Sequence, residues 1–495
     1  MGLKINRDDF NDDDYVRFAE TLEAGLVALR ELLDRPGFGA GDASLGAELE
    51  LSLLDAEQRP SPVNLEVLGE SIDDRLTFEL DRFNLECNLR HGPLAGRPFD
   101  ALANEIRDSL REVKRAASLH DADVVAIGIL PTLREEDLQS AAMTDTPRFR
   151  ALSRELQRRR GGPFELRIDG ADPLETQCQD VTFEGAATSL QIHLRTDPPD
   201  FARLYNASQI ASVASIAASG NSPIFLGHRL WQETRVALFK QAVDLRDESA
   251  RRGGRESRVS FGTEWVRDGA FELFEESVRG HAPLLPVVTG EDALAELRGG
   301  RVPRLAEIRL HQGTVWRWNR PVFDPVAGGH LRIELRCLPA GPSVIDMAAN
   351  AAYLIGLTHG LAAEDDAWRA RWDFDALHGS FYRAAQHGLD AVLLWPKEAG
   401  ATPREVPAAE VIERTLSLAE AGLTGAGVEP SEARQWLDVV ARRVQRRQTG
   451  ARWQLATLDD FEQHCDRNEA LARMLGRYVE LAESGAPGHE WPVGG

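Results

Sequence analysis

Cysteine is scarce: 495 residues hold four, Cys87, Cys178, Cys337 and Cys465, far apart and with no CxxC pair. That spacing excludes a disulfide framework or a cysteine-ligated zinc site and fits reduced thiols in a cytoplasmic protein. Basic charge is also in deficit, with 57 Lys and Arg against 79 Asp and Glu and a formal net charge of -22. Binding to nucleic acid or anionic lipid gains chiefly from cations that neutralise phosphate, so neither is an expected partner. No stretch approaches the roughly 18 uninterrupted apolar residues of a membrane span. Met1 to Asp14 is polar and acidic without an apolar signal core, and the chain is expected to be neither secreted nor inserted. A P-loop is missing as well, because nowhere do Gly, four residues and Gly-Lys-Ser or Gly-Lys-Thr follow one another. The Gly37-Phe38-Gly39-Ala40-Gly41 run precedes a strand pattern and opens no helix, so it reads as a helix terminator.

What is present is 43% hydrophobic residues, enough for one large core or two smaller ones. Three regions emerge from changes in hydrophobic period. Tyr15 to Leu33 has helical spacing, with Phe18, Leu22, Leu26 and Leu29 on one face. From Leu45 to about Pro339 strands alternate with helices. Beyond Ser343 the pattern is helical, over Val344–Leu361, Asp366–His387, Ala408–Ala421, Ser431–Arg447 and Leu458–Ser484. The expected division is a catalytic domain over 1–362 and a helical region over 363–495, with packing of both on one core as the alternative. Arg251 to Arg258, charged and poor in apolar residues, reads as a mobile surface loop.

The chemistry shows when each strand is split by its two-residue period, since alternate side chains point to opposite faces of a sheet. Ala47, Leu49, Leu51 and Leu53 oppose Glu48, Glu50 and Ser52. Leu76, Phe78 and Leu80 oppose Thr77 and Glu79, and Leu85, Cys87 and Leu89 oppose Asn84, Glu86 and Asn88. Leu190, Ile192 and Leu194 oppose Gln191, His193 and Arg195. Leu331, Ile333, Leu335 and Cys337 oppose Arg332, Glu334 and Arg336. A solvated sheet face explains any one such strand. It explains the set less well, because Glu is depleted in strands. Glutamates crowded on one face raise one another's pKa unless cations lie between them. Carboxylates with at most one imidazole suit Mg²⁺, or Mn²⁺, better than zinc, and Mg²⁺ is commonly completed by substrate phosphates. Phosphoryl transfer is therefore the leading reaction. On this argument Glu50→Ala or Glu334→Ala should leave the metal-free protein folded or slightly stabilised. Cys87 and Cys337 fall on apolar faces and read as core. Trp316 and Trp318 read as packing residues, with ligand stacking as the alternative.

Five segments, Gly46-Ala47-Glu48-Leu49-Glu50, Glu79 through Glu86 and Asn88, Ser189-Leu190-Gln191-Ile192-His193, Ala218-Ser219-Gly220-Asn221-Ser222-Pro223 with Arg235, and His330 through Arg336, resemble the glutamate–cysteine ligase family, type 2. The likeness spans roughly Ser44 to Leu361. The segment from His311 through Pro321 is similar to one in bacterial members of uncertain substrate. The resemblance implies an α+β fold: a curved, mainly antiparallel sheet of glutamine-synthetase-like type, backed by helices. It implies an ATP- and Mg²⁺-dependent ligase that phosphorylates the γ-carboxylate of glutamate and joins it to an amine, cysteine in the glutathione pathway. Carried over residue by residue, Glu48, Glu50, Glu79, Glu86, His193 and Glu334 would hold the metal. Arg336 would contact the transferring phosphoryl group, and Arg235 the carboxylate of the amino-acid substrate. Three of these residues carry a structural alternative: Glu79 the start of a loop, His193 a hydrogen-bonded core histidine, and Arg235 a salt bridge. Rival readings are a same-fold ligase with another acid or amine, a guanidino kinase, or a non-catalytic metabolite-binding protein.

Overall fold

The computed structural model describes residues 5–364 and 367–494. Met1–Lys4 and Asp366, the expected start of one C-terminal helix, lie outside them. The first helix runs from Asp12 to Leu33, three residues earlier than its apolar spacing announces. Asn11 caps it by accepting from the Asp14 N–H, and the acidic first turn of Asp12, Asp13 and Asp14 suits the positive end of the helix dipole. Beyond Asp34 the chain turns through Gly37 and Gly39, both at positive φ, as a terminator requires.

The centre is a seven-stranded sheet. Its strands are β1 (Ser44–Leu54), β2 (Leu76–Phe78), β3 (Asn84–Pro93), β4 (Asp123–Val125), β5 (Leu190–Thr196), β6 (Asn319–Asp324) and β7 (His330–Leu335). The order is β6-β7-β5-β1-β3-β2, with β4 paired to the end of β1, and every pair is antiparallel. The protein is therefore α+β, with a mainly antiparallel sheet and a helical C-terminal region. Leu49, Leu51, Leu85, Cys87, Leu190, Ile192, Ile333 and Leu335 are completely buried on one face of this sheet. Helices Pro98–Ala117 and Phe201–Ser219 pack on that face, and Val344–Ala363 packs against both. Ala408–Gly425 and Pro430–Arg446 pack in turn on Val344–Ala363. Among the described residues, no helix is long and apolar enough to cross a membrane.

Several expectations need correction. The Leu458–Ser484 helix is two helices, Gly450–Phe461 and Arg467–Glu483, because Asp466 caps a new start by accepting from the Glu469 N–H. The helix expected from Asp366 begins at Phe374. Two hairpins escaped the periodicity reading, Phe164–Ile168 with Leu174–Cys178 and Val392–Trp395 with Arg404–Pro407. Arg251–Arg258 is a loop only in part: Glu248–Arg252 is helical, and Arg258, 5% exposed, donates to the carbonyl of Thr314. Trp316 and Trp318 pack on Phe239, with ring centroids 5.7 and 6.3 Å away, as core residues do.

Candidate active site

Strand register assembles the polar face. Glu50 stands opposite Glu86, Glu48 lies between Asn88 and Gln191, and Glu334 lies between His193 and Arg320. Directly opposed residues have Cβ atoms about 4.5–5.5 Å apart, so these side chains share one surface. Glu79 follows β2 rather than belonging to it, and its Oε2 accepts from the Leu80 N–H at 3.0 Å.

A hydrogen-bonded chain crosses the face. Glu50 accepts from the Ser189 N–H (2.6 Å), the Ser189 hydroxyl (2.9 Å) and the Gln191 amide (2.8 Å). The Gln191 carbonyl accepts from Arg336, which also donates to Glu334. Arg320 holds the other side of Glu334 through its Nε and Nη2 at 2.8 to 3.1 Å. On the β3 side the Asn88 amide donates to Glu86 at 2.7 Å. His193 is buried, with Nε2 3.3 Å from Glu48, yet neither ring nitrogen makes an aligned hydrogen bond.

Electrostatics divide the carboxylates into two groups. Burial raises the Glu50 pKa despite Arg336 and Ser189. Burial and then Glu50 push Glu79 up to about 7, and burial with Glu48, Glu79 and Glu50 drives Glu86 well above its usual range. Glu48 and Glu334 go the other way. Burial opposes their ionisation, but His193 pulls Glu48 down and the Arg320 and Arg336 guanidiniums hold Glu334 far below the usual range. At these two, Arg320 across the strand pair with Arg336 two residues on, and His193 beside Glu48, outweigh the neighbouring carboxylates, the case the sequence reading reserved for cations lying between them.

Two further acids join the face unannounced by the strand pattern. Glu184 sits on the short Thr182–Gly185 helix, and burial followed by Glu79 and Glu50 raises its pKa to about 8. Asp81, completely buried with neither carboxyl oxygen hydrogen-bonded, is raised well above its usual range by burial and then Glu184. Arg320 was also missed; it stood in the Trp-Arg-Trp-Asn-Arg segment, but its role needed the β6–β7 register. Arg235, 3% exposed at the start of the Arg235–Ala242 helix, gives its Nε to Glu233 at 2.6 Å and its Nη2 to the Cys337 carbonyl at 2.9 Å. Its charge reaches Glu50. Among the described residues, no three His, Cys, Asp or Glu side chains converge as a ready-made cation cage.

An antiparallel sheet bearing a row of carboxylates interleaved with arginines defines a class of anion-handling site, in which charge neutralisation is the work to be done. The family model described as glutamate-cysteine ligase family 2 matches residues 44–475, and the chain belongs to that family, one of ATP-dependent carboxylate–amine ligases. Among solved structures it resembles the glutamate–cysteine ligase of Francisella tularensis in complex with AMP, at 11% identity over 90% of each chain and a TM-score of 0.51. A bifunctional glutathione synthetase from Pasteurella multocida aligns at 12% identity over 95% of this chain and 55% of that one, with a TM-score of 0.46. The first of these likenesses concerns the fold alone. No curated protein matches the chain in sequence.

Proposed function

We propose that the protein is an ATP-dependent ligase that phosphorylates the γ-carboxylate of glutamate and joins it to an amine, cysteine being the first candidate. The observation that carries this reading is the Glu50–Gln191–Arg336–Glu334–Arg320 chain on one sheet face, beside carboxylates that lack cations of their own. Phosphoryl transfer asks for positioning and charge neutralisation, with little covalent help. The donor chemistry suits a hard divalent cation, though no preformed cage is present among the described residues: the donors are carboxylate oxygens and one imidazole, and the His193 nitrogens have no aligned partner. Glu48, Glu50, Glu79, Glu86, His193 and Glu334 would hold Mg²⁺ or Mn²⁺. When bound, the cation supplies neutralisation of the ATP phosphates.

In this mechanism a γ-carboxylate oxygen of glutamate bonds to the terminal phosphorus of ATP, and the bridge to ADP breaks. The amine nitrogen then attacks the acyl carbon and phosphate leaves. Arg336, oriented by Gln191 and Glu334, faces the transferring phosphoryl group. Arg235 would lie at the edge of the amino-acid site, since two of its donors are engaged and one nitrogen, Nη1, has no partner among the described residues.

The test is ADP release from ATP and Mg²⁺ with glutamate, with and without cysteine, followed by mass spectrometry of the products. γ-Glutamylcysteine formed only when both amino acids are present is the expected result. ADP release that needs glutamate but not cysteine redirects the search to other amines. A phosphorylated guanidine, or tight glutamate binding without nucleotide turnover, overturns the ligase reading.

A further inference from the structure

Four arginines direct charge onto the carboxylate face: Arg235, Arg320, Arg336 and Arg148. Three are committed to protein carboxylates, Arg235 to Glu233 and both Arg320 and Arg336 to Glu334. Arg148 is different. It is the second residue of the Pro147–Arg160 helix, whose Thr146 cap accepts from the Phe149 N–H. The charged groups that sense it are Glu79, at the carboxylate end of the sheet, and Arg320. Its side chain makes no ion pair or hydrogen bond among the described residues, and Nη1 is buried without a partner.

The surroundings of Arg148 are built rather than accidental. Its Nη2 crosses over Gly313, where an added Cβ would stand 3.6 Å away. Gly313 closes the Ala306–Gln312 helix. Gln312, next in the chain, is 5% exposed and has neither side-chain amide atom hydrogen-bonded. The Gln312 carbonyl accepts from Arg320 at 3.2 Å, which ties this corner to Glu334 and the rest of the site. A buried N–H left without an acceptor is costly, and more so when it is charged. Burial, opposed by Glu79, already draws the Arg148 pKa below its ordinary value. A fork of free donors beside a phosphoryl-transfer site matches a planar carboxylate or a phosphate bidentately.

We propose that Arg148 is an oxyanion-binding residue of this site, taking through its free guanidinium donors either the carboxylate of the amino-acid substrate or a phosphate of the nucleotide. The inference rests on the ligase reading for the identity of its ligands, and its test is separable from that reading. Arg148→Met keeps the aliphatic stem and removes the fork, whereas Arg148→Lys keeps the charge. Full-length wild type and both variants are titrated calorimetrically with glutamate and, separately, with ATP and Mg²⁺. R148M should lose about tenfold or more in affinity for one ligand, about 1.4 kcal/mol, and hold the other within about twofold. Loss for glutamate assigns the carboxylate, and loss for ATP the phosphate. R148K should recover only part of the loss, because an ammonium lacks the fork. Unchanged affinity for both ligands in R148M, or wild type that binds neither, overturns the proposal. If R148M does not fold, Arg148→Gln carries the same comparison. Wild type that releases ADP while R148M binds normally removes Arg148 and leaves the ligase standing; binding lost in R148M without wild-type turnover does the reverse.

Discussion

Two buried polar regions flank the helices and the sheet, and they are built on opposite terms. Behind the apolar layer, Arg443 donates to Asp346 (2.9 Å), to Asn350 and to the Ala218 carbonyl (3.1 Å), while Asn221 receives Gln454 and donates to Tyr478 (2.8 Å) and the Ala340 carbonyl (2.7 Å). The charged groups there are paired within the protein, Arg443 with Asp346, although Asn350 Nδ2 and Gln454 Oε1 make no hydrogen bond, so the region holds together as structure. On the carboxylate face, Glu50, Glu79, Glu86 and Glu184 all have raised pKa values, and Asp81 and the His193 nitrogens lack hydrogen bonds. Groups left unsatisfied together in one place mark where something from outside completes the structure. Burial alone does not separate the two regions; the supply of counter-charges does.

The comparison breaks most sharply through Arg443. Removing it strands Asp346, 1% exposed, and Arg443→Ala should destabilise the fold by about 3–5 kcal/mol in urea unfolding. A loss below about 1 kcal/mol would show that this network is as optional as a surface pair. Glu334 tests the boundary, since it belongs to the site but is the carboxylate with two arginine partners. Glu334→Ala should abolish cation-dependent turnover and also destabilise by about 3 kcal/mol, by leaving Arg320 and Arg336 uncompensated. Its pairing with Arg320 and Arg336 predicts a cost where repulsion among the carboxylates alone predicted none. Glu50→Ala should remove turnover as well at a smaller stability cost than Glu334→Ala, because the unfavourable charge it removes offsets the hydrogen bonds lost from Ser189 and Gln191. Equal destabilisation by both variants would erase the distinction drawn here.

The smallest effect is a pH dependence. Glu79 and Glu184, at about 7 and about 8, stand above the ordinary 4.5, so the folded state binds their protons more tightly than the unfolded chain does. Their contribution is full below the ordinary carboxylate range and is lost as pH rises through 7 to 8. The melting temperature of the metal-free protein should therefore fall between about pH 6 and 8.5, and Glu184→Gln should flatten that slope. A slope unchanged in the variant would remove Glu184 from the face.

Much of the site was legible because side-chain direction in a strand has period two and the apolar alternation is unbroken: Glu48, Glu50, Glu86, His193 and Glu334 declare their face without knowledge of which strands pair. Glu79 was legible only in part, since its strand ends at Phe78. Glu184 and Arg148 lie on helices, where nothing local says which way the sheet lies, and Arg320 matters only through β6–β7 pairing. The Val392–Trp395 hairpin strand is too short for periodicity to separate it from a connection. The break before Arg467 rested on a capping aspartate with no Gly or Pro beside it to announce an end.

The position of β1 governs how this chain tolerates changes in length. It is hydrogen-bonded along both edges, to β3 on one side and to β5 and β4 on the other. A one-residue deletion between Ala47 and Leu51 would rotate Glu48 or Glu50 into the helix-packed layer and turn a leucine toward the arginines. The deletion would cost core and site together. Surface turns such as Val326–Gly328, between β6 and β7, can gain or lose a residue while both faces keep their side chains. Insertions and deletions that a library of functional variants accepts should therefore gather in such turns and spare β1, tracing the sheet through chain length alone.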